Sequence, residues 1–117
     1  MAVEDGAVLG RLLGLFSRAA CSKTSLPELM HLYQSVRKER ATAVVKLADD
    51  NRALYHMADG PNQEQRDQIL GQHDWWDDNL SFPWAFADSE HLCELYGFDA
   101  MKSADDGFTS SGLNNRK

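Results

Sequence analysis

Val8-Leu9-Gly10-Arg11-Leu12-Leu13-Gly14-Leu15-Phe16 is the stretch from which the fold class can be read first. Leu9, Leu12, Leu13 and Phe16 stand at i, i+3, i+4 and i+7, which places them on one side of a helix turning every 3.6 residues. The spacing predicts an amphipathic helix from Val3 to about Phe16. Gly6, Gly10 and Gly14 recur at every fourth position and form a smooth stripe on it. Such a stripe lowers helix propensity and lets a neighbouring backbone approach closely, so a helix packed tightly on its neighbour is expected.

The same periodicity continues outward. After the polar break Ser22-Lys23-Thr24, Ser25 and Glu28 have the spacing of a capping box, in which each side chain satisfies a free backbone N–H of the first turn. Pro27 is tolerated there, and Leu26, Leu29, Met30 and Tyr33 form the expected buried stripe. From Val36 to His56 no proline intervenes, and Val44, Leu47, Ala48, Leu54 and Tyr55 keep an apolar face, as one long helix or two joined at a kink. Asp59-Gly60-Pro61 breaks the pattern and starts a helix through Arg66 and Leu70 that Gly71 ends. His73 to Pro83 has no clear period and reads as a loop anchored, with its surroundings, by Trp75, Trp76 and Trp84. A last helix is predicted from Asp88 to Tyr96, with Gly97 just past its end. No sustained alternation marks a strand. The expected architecture is all-α: a small domain of about four helices over residues 1–104, followed by a polar, disordered tail over 105–117.

At 117 residues the chain suits one small domain, and 43% hydrophobic with 26% charged residues is an ordinary globular mixture. The net charge of −6 opposes binding to nucleic acid, which requires a basic patch. The basic cluster Arg37-Lys38-Glu39-Arg40 is interrupted by an acid and reads as a solvated helix face. Cys21 and Cys93 form no CxxC pair, and Glu4 and Asp5 precede an apolar stretch too short for a membrane span. A cytoplasmic protein without membrane attachment is expected.

Little in the sequence points to chemistry. Gly6-Ala7-Val8-Leu9-Gly10 lacks the spacing and the preceding strand of a dinucleotide-binding turn, and there is no phosphate-binding loop, nucleophile elbow or HExxH motif. His31, His56, His73 and His91 lack mutual i, i+4 spacing, and His91 with Cys93 is too few ligands for zinc. Asp49-Asp50, Asp77-Asp78 and Asp105-Asp106 do not alternate as calcium ligands do. No metal site is expected. A carboxylate facing His73 across Trp75-Trp76, Asp77 for instance, is a conceivable acid–base pair, with Trp75, Trp76, Trp84 and Tyr96 lining a pocket; core filling is the competing role of those aromatics.

Several phrases, in order, resemble the end of salicylate-hydroxylase-like FAD-dependent monooxygenases. Ala2 to Gly10 is similar to the helix that follows that family's flavin-contacting Gly-Asp segment, which does not precede it in this sequence. Tyr33 with Arg37-Lys38-Glu39-Arg40-Ala41 resembles a phrase of tyrosine, arginine, proline and arginine, with Glu39 where the family has proline, a departure that suggests a straighter helix. Tyr55-His56-Met57-Ala58-Asp59-Gly60-Pro61, continued by Glu64, Arg66 and Asp67, resembles the next phrase. Pro83-Trp84 and Leu95-Tyr96-Gly97-Phe98-Asp99-Ala100 are similar to the closing tryptophan and Leu-Tyr-Gly-Tyr-Asp-Ala signature.

The resemblance covers about residues 2–104. It implies FAD as the family cofactor and NAD(P)H- and O2-dependent hydroxylation of an aromatic or polyketide-like metabolite as the family reaction. In the family a glycine-rich N-terminal segment holds the ADP, while helices like these brace the flavin domain. A truncated polypeptide that binds no FAD alone, with no catalytic residue carried over, is therefore expected. If so, Val3, Val8, Leu12 and their neighbours should form an uncovered apolar surface, and Arg37 and Arg40 could face an acidic surface of the absent domain. The alternatives are a binding module for a full-length monooxygenase or for a second copy of itself, and a cofactor-free isomerase or cyclase.

Overall fold

The computed structural model describes residues 1–19, 26–74, 76–77 and 82–113. Among these the chain forms five helices and no strand: α1 (Ala2–Arg18), α2 (Leu26–Tyr55), α3 (Pro61–Gln72), α4 (Ser89–Tyr96) and α5 (Ala100–Ser111). The all-helical expectation holds, with one helix more than the roughly four anticipated. The two stretches read separately around Leu29 and Leu47 are one uninterrupted α2, which continues through the exposed Glu39. Ser25, half of the capping box, lies outside the described residues.

The chain divides into two compact units, Met1–Ala43 with Asp99–Lys117, and Val44–Phe98. In the first, Val8, Leu12, Leu29, Ala104, Phe108 and Leu113 form the core, with Leu15, Phe16, Leu32, Tyr33 and Val36 packed around it. Val8, Leu12 and Leu29 are wholly buried, each contributing roughly 1.5–3 kcal/mol by leaving water. The buried side of α1 thus runs through Val8, Leu12, Leu15 and Phe16. Leu13, assigned to that side by its spacing, is exposed, because the buried stripe is centred further round the helix. In α2, Leu29 and Tyr33 face inward while Leu26 and Met30 do not.

Helix α5 crosses the proposed tail boundary. Asp99 caps its start by accepting from the Lys102 N–H at 2.8 Å, and it runs past Ala104 to Ser111. Gly112 closes it in the left-handed region at φ 71°, where a side chain would be strained. Residues 105–113 are therefore structured, and 114–117 lie outside the described residues. The polar composition hid this helix, since only Ala104, Phe108 and Leu113 are buried on it and just after it. Its close approach to α2 is made at Gly107, where a Cβ would lie 2.8 Å from Val36 Cγ2.

In the second unit, Arg66 on α3 donates from Nη1 to the Leu54 carbonyl at 2.8 Å, satisfying an acceptor in the last turn of α2. Helix α3 starts with Pro61 and continues through Gly71 to Gln72, one residue beyond the expected stop. Asp88 caps α4 by accepting from the His91 N–H at 3.1 Å, and its other oxygen accepts from the Phe82 N–H at 3.0 Å. That second bond fixes the segment that enters α4. Phe82, buried, is the centre of an aromatic group, with its ring 4.2 Å from His73, 5.4 Å from Trp84 and 6.1 Å from Phe86. Trp84 joins this group, whereas Trp76, also expected as an anchor, is 92% exposed. Trp75 lies outside the described residues.

Candidate functional site

The charged residues of α1 do not face solvent alone. Glu4 and Asp5 occupy its first turn, where carboxylates complement the positive end of the helix dipole. Arg37 on α2 donates from Nε to Asp5 Oδ1 at 2.7 Å and from Nη2 to Glu4 Oε2 at 2.9 Å. Arg40, one turn later, holds both oxygens of Glu4 at 3.1 and 2.9 Å. The i, i+3 spacing places both guanidinium groups on the same side of α2, over the start of α1.

The solvated-face expectation for the cluster is therefore corrected at two positions. Arg37 is only 4% exposed and Arg40 is half-buried, while Lys38 and Glu39 do face solvent. The acidic surface that these arginines face lies within this chain. The sequence signal was available in Glu4 and Asp5, but pairing them with Arg37 requires knowing that the two helices meet.

Hydrogen bonds from Arg40, reinforced by Arg37 against the opposing effect of burial, lower the Glu4 pKa from 4.5 to about 2. Burial works against the Arg37 cation, but bonding to Asp5 and Glu4 outweighs it and its pKa is raised. Midway along α1, Arg11 holds both oxygens of Asp105 on α5 at 2.7 and 3.0 Å, and this lowers the Asp105 pKa. These ion pairs act as braces, tying α1 to α2 and to α5.

The second unit carries a cleft of about 270 Å³ lined by Leu47, Asp50, Asn51, Leu54, Pro83, Trp84 and Ala85. Of the aromatics anticipated to line a pocket, Trp84 lines the cleft, Trp76 is 92% and Tyr96 80% exposed, and Trp75 lies outside the described residues. Of the conceivable acid–base pair, His73 packs on Phe82, and Asp77 bonds through its backbone to Asp74. Cys93 is exposed, and His91 Nδ1 lies 3.7 Å from Asp88, the cap of its own helix. Among the described residues no three His, Cys, Asp or Glu side chains are grouped to hold a metal ion, and no helix is long and apolar enough to cross a membrane.

Among the described residues, neither the cleft nor the start of α1 has the character of a FAD site. The cleft lies below the range of roughly 300–1,000 Å³ typical of small-ligand pockets, and a dinucleotide is larger than most such ligands. The start of α1, a natural place for a pyrophosphate, carries Glu4 and Asp5, which repel it. Arg11, Arg37 and Arg40 are committed to carboxylates.

Fold and site together define an all-helical segment whose polar side chains brace one helix against others. Its relative is an oxidoreductase. The chain is 37% identical over 112 residues, 96% of its length, to the FAD-dependent monooxygenase OpS4 of Beauveria bassiana (strain ARSEF 2860), and it spans 25% of that protein. No family model matches the chain, and no solved structure matches it.

Proposed function

We propose that this chain is the helical, C-terminal-type segment of a salicylate-hydroxylase-like FAD-dependent monooxygenase, and that it braces the flavin-bearing part of such an enzyme without catalysing on its own. The observation that carries the reading is the extent of the match: almost all of this chain against one quarter of OpS4. The braced helices, together with the lack of a glycine-rich nucleotide turn in the sequence, support a structural role. The hydroxylation of an aromatic or polyketide-like metabolite belongs, on this reading, to the assembled enzyme.

An absorbance spectrum of the purified chain after incubation with excess FAD and gel filtration tests this. A colourless protein is expected. Retained yellow flavin would mean that these helices hold the cofactor themselves, and the bracing role would have to be abandoned.

A further inference from the structure

The dipeptide Asp-Gly occurs three times in the chain, at Asp5-Gly6, Asp59-Gly60 and Asp106-Gly107. At this pairing a backbone can react with its own side chain. The glycine nitrogen is unshielded by a Cβ, and the aspartate carboxyl carbon is placed to close a five-membered ring with it. Closure needs a nitrogen free to give up its proton and a Cα–C bond free to rotate until nitrogen and carboxyl meet. Inside a helix neither is granted, because the N–H is donated to the carbonyl four residues back and the rotation is fixed.

Two of the three pairs are withheld in this way. Gly6 lies within α1 and Gly107 within α5, so both nitrogens belong to helical hydrogen-bond ladders. The Asp5 carboxylate is also held by Arg37 Nε at 2.7 Å and that of Asp106 by Lys102 Nζ. Val36 crowds Gly107 as well. Gly6 is not crowded: a Cβ at Gly6, Gly10 or Gly14 would meet nothing within 4 Å, so the tight packing expected of that stripe is not made among the described residues. Asp59-Gly60 differs in each respect. It lies in the connection between α2 and α3, and Asp59 is exposed. Among the described residues neither the Asp59 carboxylate nor the Gly60 N–H has a hydrogen-bond partner. Gly60 holds φ 148°, a region open to glycine, and a Cβ there would meet nothing within 4 Å.

We propose that Asp59-Gly60 is a site of backbone modification, at which Asp59 passes through a cyclic imide to an isoaspartyl residue. The Gly60 nitrogen gives up its proton and attacks Cγ of the protonated Asp59 carboxyl. A C–N bond forms, the C–OH bond breaks, and one water leaves. Water then reopens the ring. Attack at the former side-chain carbonyl restores aspartate, whereas attack at the main-chain carbonyl breaks the original peptide bond and leaves Gly60 attached through Cγ, with a free α-carboxylate. No oxidant, metal or other reactant is required. The product has one more carbon in its main chain immediately before Gly60, whose carbonyl accepts from the Glu64 N–H at 3.0 Å at the start of α3. It thereby lengthens the connection across which Arg66 reaches back to the Leu54 carbonyl.

The test incubates the full, folded chain in warm, mildly acidic buffer, where part of an exposed carboxyl is protonated. Its tryptic peptides are then followed by mass spectrometry with electron-driven fragmentation, which distinguishes the two linkages. The peptide Ala53–Arg66 carries Asp59. It should show first a species lighter by one water and then an isomer of unchanged mass. Conversion at Asp59 should exceed that at Asp5 or Asp106 by at least about ten-fold, because those two must first open a helix. In the urea-unfolded chain at the same pH, the three sites should react at similar rates. Asp59→Glu, whose ring would have six members and closes poorly, should abolish the change in this peptide. That variant should melt as wild type does, since the carboxylate it replaces has no partner among the described residues. No conversion at Asp59, or equal conversion at all three sites of the folded chain, would overturn the proposal. So would a preference for Asp59 that persists undiminished in urea, because the fold would then not be what selects it.

Discussion

Arg37 donates to Asp5 at 2.7 Å from a position only 4% exposed, so a full positive charge is held inside the first unit by carboxylates that still touch water. The arrangement depends on its partners. An arginine buried without them would lose hydration that nothing replaces, whereas Glu4 and Asp5, at 28% and 36% exposure, retain part of theirs.

Replacing the carboxylates should therefore be worse than their surface position suggests. The pair Glu4→Gln, Asp5→Asn strands the Arg37 charge, and roughly 3 kcal/mol of stability should be lost, the lower end of the cost of breaking a buried pair. Arg37→Met, which removes the charge and keeps apolar volume, should cost less. Urea unfolding of the variants checks this ordering, and equal losses would mean that the packing of the side chain, and not its charge, is what matters.

Stability should fall in acid through the same residues. Glu4 has a folded pKa of about 2 against an ordinary 4.5, so its contribution is fully present above 4.5 and is lost as pH drops from there towards 2. Asp105, lowered by Arg11, and Asp88, lowered chiefly by the Phe82 N–H and then by the His91 N–H, act in the same direction below their usual range. Thermal melts between pH 7 and pH 2 should show a plateau followed by a decline. Glu4→Gln should begin from a lower plateau and decline less steeply.

Gly107→Ala sets two effects against each other. Alanine gains up to about 1 kcal/mol of helix propensity, but its Cβ would stand 2.8 Å from Val36 Cγ2. Valine is stiff about its first side-chain bond and cannot swing aside freely, and overpacking of this kind costs about 1–3 kcal/mol. A net loss of about 1 kcal/mol is expected. Adding Val36→Ala should return part of it, and a double-mutant cycle that shows no coupling would count against this contact.

How much of this was legible in the sequence depended on the range of the interactions. Helical periodicity and breaks at Gly60-Pro61 and around Gly97 are local, so helix existence could be read from neighbours alone. The boundary at Ala104 could not, because α5 is held by Phe108, Leu113 and the Arg11–Asp105 pair, a contact across 94 positions. The charged network shows the same limit: Arg37 looks solvated beside Lys38 and Glu39 until α1 supplies its carboxylates. Val3, Val8 and Leu12 are the residues from which an uncovered apolar surface is expected. Of these Val3 is exposed, but Val8 and Leu12 are the core, since a short helix with apolar residues on two sides does not announce which side the chain itself will cover.

Phe82 and Trp76 provide the sharpest contrast within the second unit. Phe82 is buried against His73, Trp84 and Phe86, and its N–H is held by Asp88, so Phe82→Ala removes the centre of a packed group. A loss of about 3 kcal/mol is expected, at the low end for an aromatic truncation because the group is small and can partly collapse. Trp76, though larger, is 92% exposed, and Trp76→Ser should change stability by no more than about 0.5 kcal/mol. Chemical denaturation of the two variants, followed by circular dichroism, reads both values. Comparable losses at the two positions would mean that Trp76 is packed after all, and that the aromatic group extends beyond Phe82, Trp84 and Phe86.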